Sequence, residues 1–113
     1  MGTNPKPIEF LGRSLEDLRA FPEVMRREAG YQLDRVQHGL EPNDWKPLST
    51  IGPGVVEIRL RGEDGAFRVI YAAKFEQAIY VLHCFQKKTQ KISREDLDLA
   101  KHRYRDLLKE VKS

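Results

Sequence analysis

The chain has 113 residues, of which 40% are hydrophobic and 33% charged, and its formal net charge is +3. This is enough chain for one core and not two, so a single domain over residues 1–113 is expected, and the composition is too apolar for disorder. No run approaches the ~18 apolar residues of a membrane span. Met1 to Pro7 carries no apolar stretch of signal-peptide type, and the lone Cys84 excludes an internal disulfide or a multi-cysteine metal site, so a cytoplasmic protein with no membrane partner is expected.

Lys6 to Leu11 reads as a short first strand, with Ile8 and Phe10 on one face. Pro7 suits only its start, and Gly12 ends it. Ser14 offers an N-cap for a short helix with Asp17 in its first turn and Leu15, Leu18 and Phe21 as its stripe. Pro22 then restarts the chain into a second helix reaching about His38. The apolar face predicted for it is Val24, Ala29, Leu33, Val36 and Leu40, and Gly39 is its C-cap. Glu41 to Ser49, with Pro42 and Pro47, is predicted to be a loop carrying Trp45 and Lys46. Trp45 is either a platform for a stacked base or, more simply, a hydrophobic plug over the helix pair.

Three strands follow. In Val55 to Arg61, Val56, Ile58 and Leu60 face one way and Glu57, Arg59 and Arg61 the other. Gly62-Glu63-Asp64-Gly65 is a hairpin connection to a return strand from Phe67 to Lys74. Ile79 to Gln86 is apolar at nearly every position, as expected of a strand covered on both faces. Ser93 caps a last helix with Asp96 at the capping-box position, and Leu97, Ala100, Tyr104, Leu107, Leu108 and Val111 form its face. The order β-α-α-β-β-β-α predicts an α+β fold: one small sheet, two N-terminal helices packed on one side, and a C-terminal helix.

The positive charge is concentrated in the middle of the chain. Residues 54–92 hold seven basic and four acidic residues, whereas residues 1–53 hold seven basic and eight acidic ones. Arg59 and Arg61 share a strand face by the period of two, and a hairpin brings Arg68 to the same face. Three guanidiniums there suit phosphate groups, which they bind through paired hydrogen bonds, although a solvated sheet face neutralised by Glu57 has the same spacing. Lys87, Lys88, Thr89, Gln90 and Lys91 make a polar, basic rim at the end of the third strand. His38, His83 and His102 have no metal-ligand spacing. His83 reads as a hydrogen-bonded, partly core residue and Cys84 as core.

Four segments occur in order: Asp44-Trp45-Lys46-Pro47-Leu48, Ile51-Gly52-Pro53-Gly54-Val55-Val56-Glu57-Ile58-Arg59, Phe67-Arg68-Val69-Ile70-Tyr71, and Leu82-His83-Cys84-Phe85-Gln86-Lys87-Lys88-Thr89-Gln90-Lys91. Together they resemble the phage-derived, HigB-like branch of the RelE/ParE toxin superfamily of type II toxin–antitoxin systems. The resemblance implies a RelE-like fold with a mainly antiparallel sheet. It also implies a ribosome-dependent mRNA endoribonuclease that inhibits translation by cutting messenger in the A site of the 70S ribosome, with no metal or other cofactor. The partner it implies is a cognate antitoxin of helix-turn-helix, DNA-binding type.

Carried over by position, the functional cations are Arg59, Arg68 and Lys87 or Lys88, with Arg61 and Lys46 as helpers in RNA binding. Glu57 stands where RelE has a lysine, and its place beside Arg59 makes it the candidate base. RelE's tyrosine after the last strand has no counterpart near Arg94, and Tyr104 lies further along the helix. A ParE-like DNA gyrase inhibitor and a non-catalytic, antitoxin-binding relic are the alternative functions.

Overall fold

Five strands and three helices follow one another as β1 (Ile8–Phe10), α1 (Ser14–Arg19), α2 (Glu23–Gln37), β2 (Trp45–Pro47), β3 (Val55–Gly62), β4 (Gly65–Ala72), β5 (Ile79–Lys87) and α3 (Arg94–Lys112). This computed structural model describes residues 4–112. Met1–Thr3, where the N-terminal segment read for an apolar leader begins, and Ser113 lie outside them.

The strands form one sheet in the order β1-β5-β4-β3-β2. The alternating residues of β3 and β4 pair as the predicted hairpin, closed by Gly62 opposite Gly65. Gly65 has a φ of +121°, a backbone state that residues with a Cβ rarely adopt. β4 pairs antiparallel with β5, with a register shift between Ile70 and Tyr71. β1 pairs parallel with β5, Ile8 opposite Ile79, so the sheet is mixed, mainly antiparallel with one parallel edge.

The sheet has a core on each face. Leu18, Phe21, Met25, Ala29, Leu33 and Val36 of the α1–α2 region cover Ile58, Leu60, Phe67 and Val69. On the opposite face, Ala100, Tyr104 and Leu107 of α3 pack with Val55, Ile70, Ala72 and Leu82. The two N-terminal helices therefore share one side of the sheet, as expected, and α3 takes the other. The cause lies in β5, whose consecutive apolar residues need cover on both faces. α3 runs along β5; toward β3 and β2 the same face carries Lys46, Glu57, Arg59 and Arg61 instead of an apolar surface.

Four local expectations change. The predicted loop at Trp45 and Lys46 is an edge strand, antiparallel to β3, where Pro47 is tolerated because it is last and at the edge. Val24 and Leu40 are exposed, at 72% and 52%, and do not belong to the buried stripe of α2. Gln32 takes a place there instead, donating to Glu28 Oε1 at 2.8 Å and accepting from Asn43 N–H at 2.8 Å. Ser14 does not cap α1; it is buried as the first helical residue, and its hydroxyl donates to the Val81 carbonyl at 3.2 Å. Ser93 caps α3 as predicted, with Asp96 N–H donating to Ser93 Oγ at 3.1 Å, while Asp96 Oδ2 accepts from the Ser93 hydroxyl at 2.8 Å in place of the backbone N–H of a full capping box.

Long-range bonds hold the parallel edge. Leu11 N–H donates to Val81 O and Ile79 N–H to Pro7 O, both at 2.9 Å. The Lys6 ammonium donates to the carbonyls of Ala73 and Phe75. Gly12, at φ +56°, turns the chain into α1 and leaves room for the guanidinium of Arg103, which donates to Leu82 O at 2.8 Å. Among the described residues no helix is long and apolar enough to cross a membrane.

Candidate functional site

Residues paired across a sheet share a face, so the register places the side chains. One row is Glu57–Ile70–His83, the next Arg59–Arg68–Phe85 and the third Arg61–Ala66–Lys87; Lys46 on β2 stands opposite Glu57. The sheet thus brings Lys46, Glu57, Arg59, Arg61, Arg68 and Lys87 to one face.

Glu57 is the centre of this group. It is 1% exposed, and three cations from three strands surround it. Arg68 Nε lies 3.5 Å from Oε2, while Arg59 Nε and Lys46 Nζ each lie 3.8 Å from Oε1. All three are ion pairs without hydrogen-bond contact, and Glu57 Oε2 and Arg59 Nε are buried without a hydrogen-bond partner. Buried charges persist only when paired, so one carboxylate here serves three cations.

Arg68 is 6% exposed, and Nη1 donates to the carbonyl of Phe67 at 3.0 Å. Burial lowers its pKa, the Glu57 carboxylate opposes that shift, and Arg59 and Arg61 add to it. A guanidinium stays charged at neutral pH despite such pressure. Lys87 is half-buried at the end of β5. Burial lowers its ammonium pKa, and the charge of Arg68 does so next.

Beyond the cations, a cleft of about 170 Å³ opens between the end of β5 and the start of α3, lined by Phe85, Gln86, Lys87, Lys88, Thr89, Ser93 and Asp96. Lys88 and Thr89 are exposed there, while Gln90 and Lys91 stand on the exposed turn beyond it. The cleft wall is fixed by His83, whose Nε2 lies 2.7 Å from Asp96 Oδ1 and whose ring stacks on Phe85 at 4.8 Å. His83 is therefore the hydrogen-bonded, buried residue that the sequence suggests, tying β5 to α3. Phe85, directly across from Arg68, is a wall residue that sequence reading passed over; its position opposite Arg68 follows only from the register.

Other candidates are elsewhere. Trp45 pairs with Ile58 and so faces the α2 side, away from the cations. Tyr104 is buried under α3, its hydroxyl donating to Pro53 O at 3.3 Å. His38 and His102 are exposed beside Asp34 and Asp106 on their own helices. Cys84 is buried, and burial pushes its thiol up to about 12.

Such a site can seat a phosphate. The two arginines and Lys46 converge with donors left over, and Lys87 stands close enough to share the field.

A small mixed sheet with two N-terminal helices and a C-terminal one, and with cations gathered on its open half-face, is a fold of the RelE-like class. The family model for phage derived protein Gp49-like (DUF891) matches residues 16–105, from α1 into α3 and across the whole site, and the chain belongs to that family. The family is one of the RelE/HigB-like toxins, and membership implies an antitoxin partner. No curated protein matches the sequence.

Proposed function

We propose that this protein is the toxin of a type II toxin–antitoxin pair, of HigB-like character, and that it cuts messenger RNA in the A site of the translating ribosome. The observation that carries this reading is the convergence of Arg59, Arg68 and Lys46 around Glu57 on the half of the sheet face that α3 leaves uncovered, with Lys87 and Lys88 at its edge. Guanidiniums in a partly dehydrated place stabilise charge that grows on a phosphate in the transition state.

The reaction is attack of the ribose 2′-oxygen on the neighbouring phosphorus, with the hydroxyl's proton lost to a solvent water. The P–O5′ bond breaks, leaving a 2′,3′-cyclic phosphate and a 5′-hydroxyl. Arg68 and Arg59 hold the nonbridging oxygens and orient the phosphate for in-line attack. Lys87, whose lowered pKa makes it a better proton donor, protonates the departing 5′-oxygen. Lys88, Lys46 and Arg61 bind flanking phosphates, and Thr89, Gln90 and Lys91 extend that contact along the turn. The antitoxin partner is a helix-turn-helix protein that represses the shared operon.

The test is translation of a defined messenger by purified components, with cuts mapped by primer extension. Cuts that need both the protein and a translating ribosome, and that fade with Arg59→Ala and Lys87→Ala, are expected. An intact messenger beside inhibited supercoiling would assign a gyrase poison instead, and the absence of both effects an inert antitoxin-binding protein.

A further inference from the structure

We propose that Glu57 is a positioning residue: a buried counter-charge that draws cations from β2, β3 and β4 to one point and so shapes the phosphate seat, rather than the group that takes the substrate's proton. The inference rests on the reading of this face as a phosphate site.

Access argues first. A proton acceptor must come within about 2.6–3.2 Å of the hydroxyl it serves. Glu57 is 1% exposed, whereas the side chains of Lys46 and Arg59 beside it are 46% and 39% exposed. A ligand arriving at this face meets Lys46 and Arg59 before it meets the carboxylate or Arg68, whose side chain is 7% exposed.

Geometry argues second. Arg59 and Arg68 are direct cross-strand partners, an unfavourable placement for like charges. Their common partner is Glu57, at 3.8 and 3.5 Å. At these separations it attracts by charge while taking no N–H hydrogen bond from either one. Apart from Arg68 Nη1, which the Phe67 carbonyl takes, the guanidinium donors are left for phosphate oxygens, and the guanidiniums are kept from turning apart.

The sign of one measurement decides the matter. Removing a negative charge from a cationic site would by Coulomb attraction alone tighten an anion; removing the group that converges the cations loosens it. The probe is a short, labelled, single-stranded all-deoxy oligonucleotide, which lacks the 2′-hydroxyl and is therefore bound without being cut, followed by fluorescence anisotropy at low salt.

Glu57→Gln is expected to weaken binding about tenfold, and to change it by less than about twofold when Arg68→Ala is already present. Glu57→Asp, which keeps the charge on a shorter arm, recovers part of the loss. Thermal melting checks the fold of each variant. Should Glu57→Gln not fold, Glu57→Asp carries the test, with binding weaker than wild type expected.

Unchanged or tighter binding by a folded variant overturns the proposal, as does a wild-type protein that does not hold the probe. Unchanged probe binding with lost messenger cutting would make Glu57 the proton acceptor. A wild-type protein that shows the expected binding pattern but cuts nothing leaves the positioning role standing and ends the ribonuclease reading alone.

Discussion

Arg59 and Arg68 face each other across the β3–β4 hairpin, two guanidiniums held at one level of an antiparallel ladder. Repulsion between them is offset by Glu57, one level away, and is relieved further whenever a phosphate joins them. The pair is therefore more comfortable with an anion than without one, and anion binding should raise stability. Thermal melting in increasing sulfate at fixed ionic strength is expected to show a rise in Tm for the wild type and a smaller one for Arg59→Ala.

Arg68 is the cation that burial makes hardest to replace. Arg68→Ala is expected to slow messenger cutting on the order of 100-fold, the scale of losing one preorganised charge donor. Arg68→Lys should not restore it, because an ammonium lacks the two-pronged guanidinium geometry. Cutting rates in reconstituted translation, read beside melting curves, check this; a fully active Lys variant would remove the fork from the argument.

Lys87 predicts a pH effect with a definite sign. Its ammonium pKa is lowered from 10.5 by burial and then by Arg68. A donor must carry its proton, so cutting is full below the lowered value and declines as pH rises through it. Lys87→Arg holds its proton to higher pH, so its rate should be lower but its alkaline decline displaced upward. Single-turnover cutting across the alkaline range measures both, and an identical decline in the two proteins would exclude Lys87 as donor.

The tie between His83 and Asp96 is structural. Asp96→Ala removes the acceptor of the Ser93 hydroxyl and leaves a buried imidazole without its 2.7 Å bond. The expected cost is about 2 kcal/mol, or a Tm lower by roughly 10 °C. Probe binding by the folded fraction should change far less, which differential scanning calorimetry and anisotropy together resolve.

Cys84 should be silent in the native protein. It is 1% exposed, and burial, with Asp17 adding to the effect, raises its pKa to about 12. Iodoacetamide at mildly alkaline pH is expected to label it only after denaturation, because the thiolate is the reactive form. Rapid labelling of the folded chain, read by mass spectrometry, would show that the β5 core opens.

Much of this site is legible in the sequence because its signal is local. The period of two in Glu57-Ile58-Arg59-Leu60-Arg61 and the four-residue turn before Phe67 are enough to bring Arg59, Arg61 and Arg68 to one face, and the Ser93–Asp96 pair fixes the start of α3. What is not legible depends on distant partners. Three residues at Trp45–Pro47, the last of them a proline, form a strand only because β3 offers an edge. The parallel placement of β1 leaves no local trace. Val24 fits the helical spacing of an apolar face yet is exposed, while Gln32 is buried because Glu28 and Asn43 satisfy its amide. The burial of Arg68 and Glu57 follows from sheet register and neighbouring cover, which no spacing rule reports.

The parallel seam between β1 and β5 has a consequence for how the protein is made. The Lys6 ammonium bonds to the carbonyl of Phe75, 69 residues later, and Ile8 meets Ile79 further still. The amino end of a growing chain therefore waits, without its sheet neighbour, until most of the polypeptide has emerged, and such distant closure is slow relative to local folding. Lys87 and the cleft beside α3 are completed later again. On the ribonuclease reading, the chain stays chemically unfinished until β5 and the start of α3 have been made and have joined the sheet.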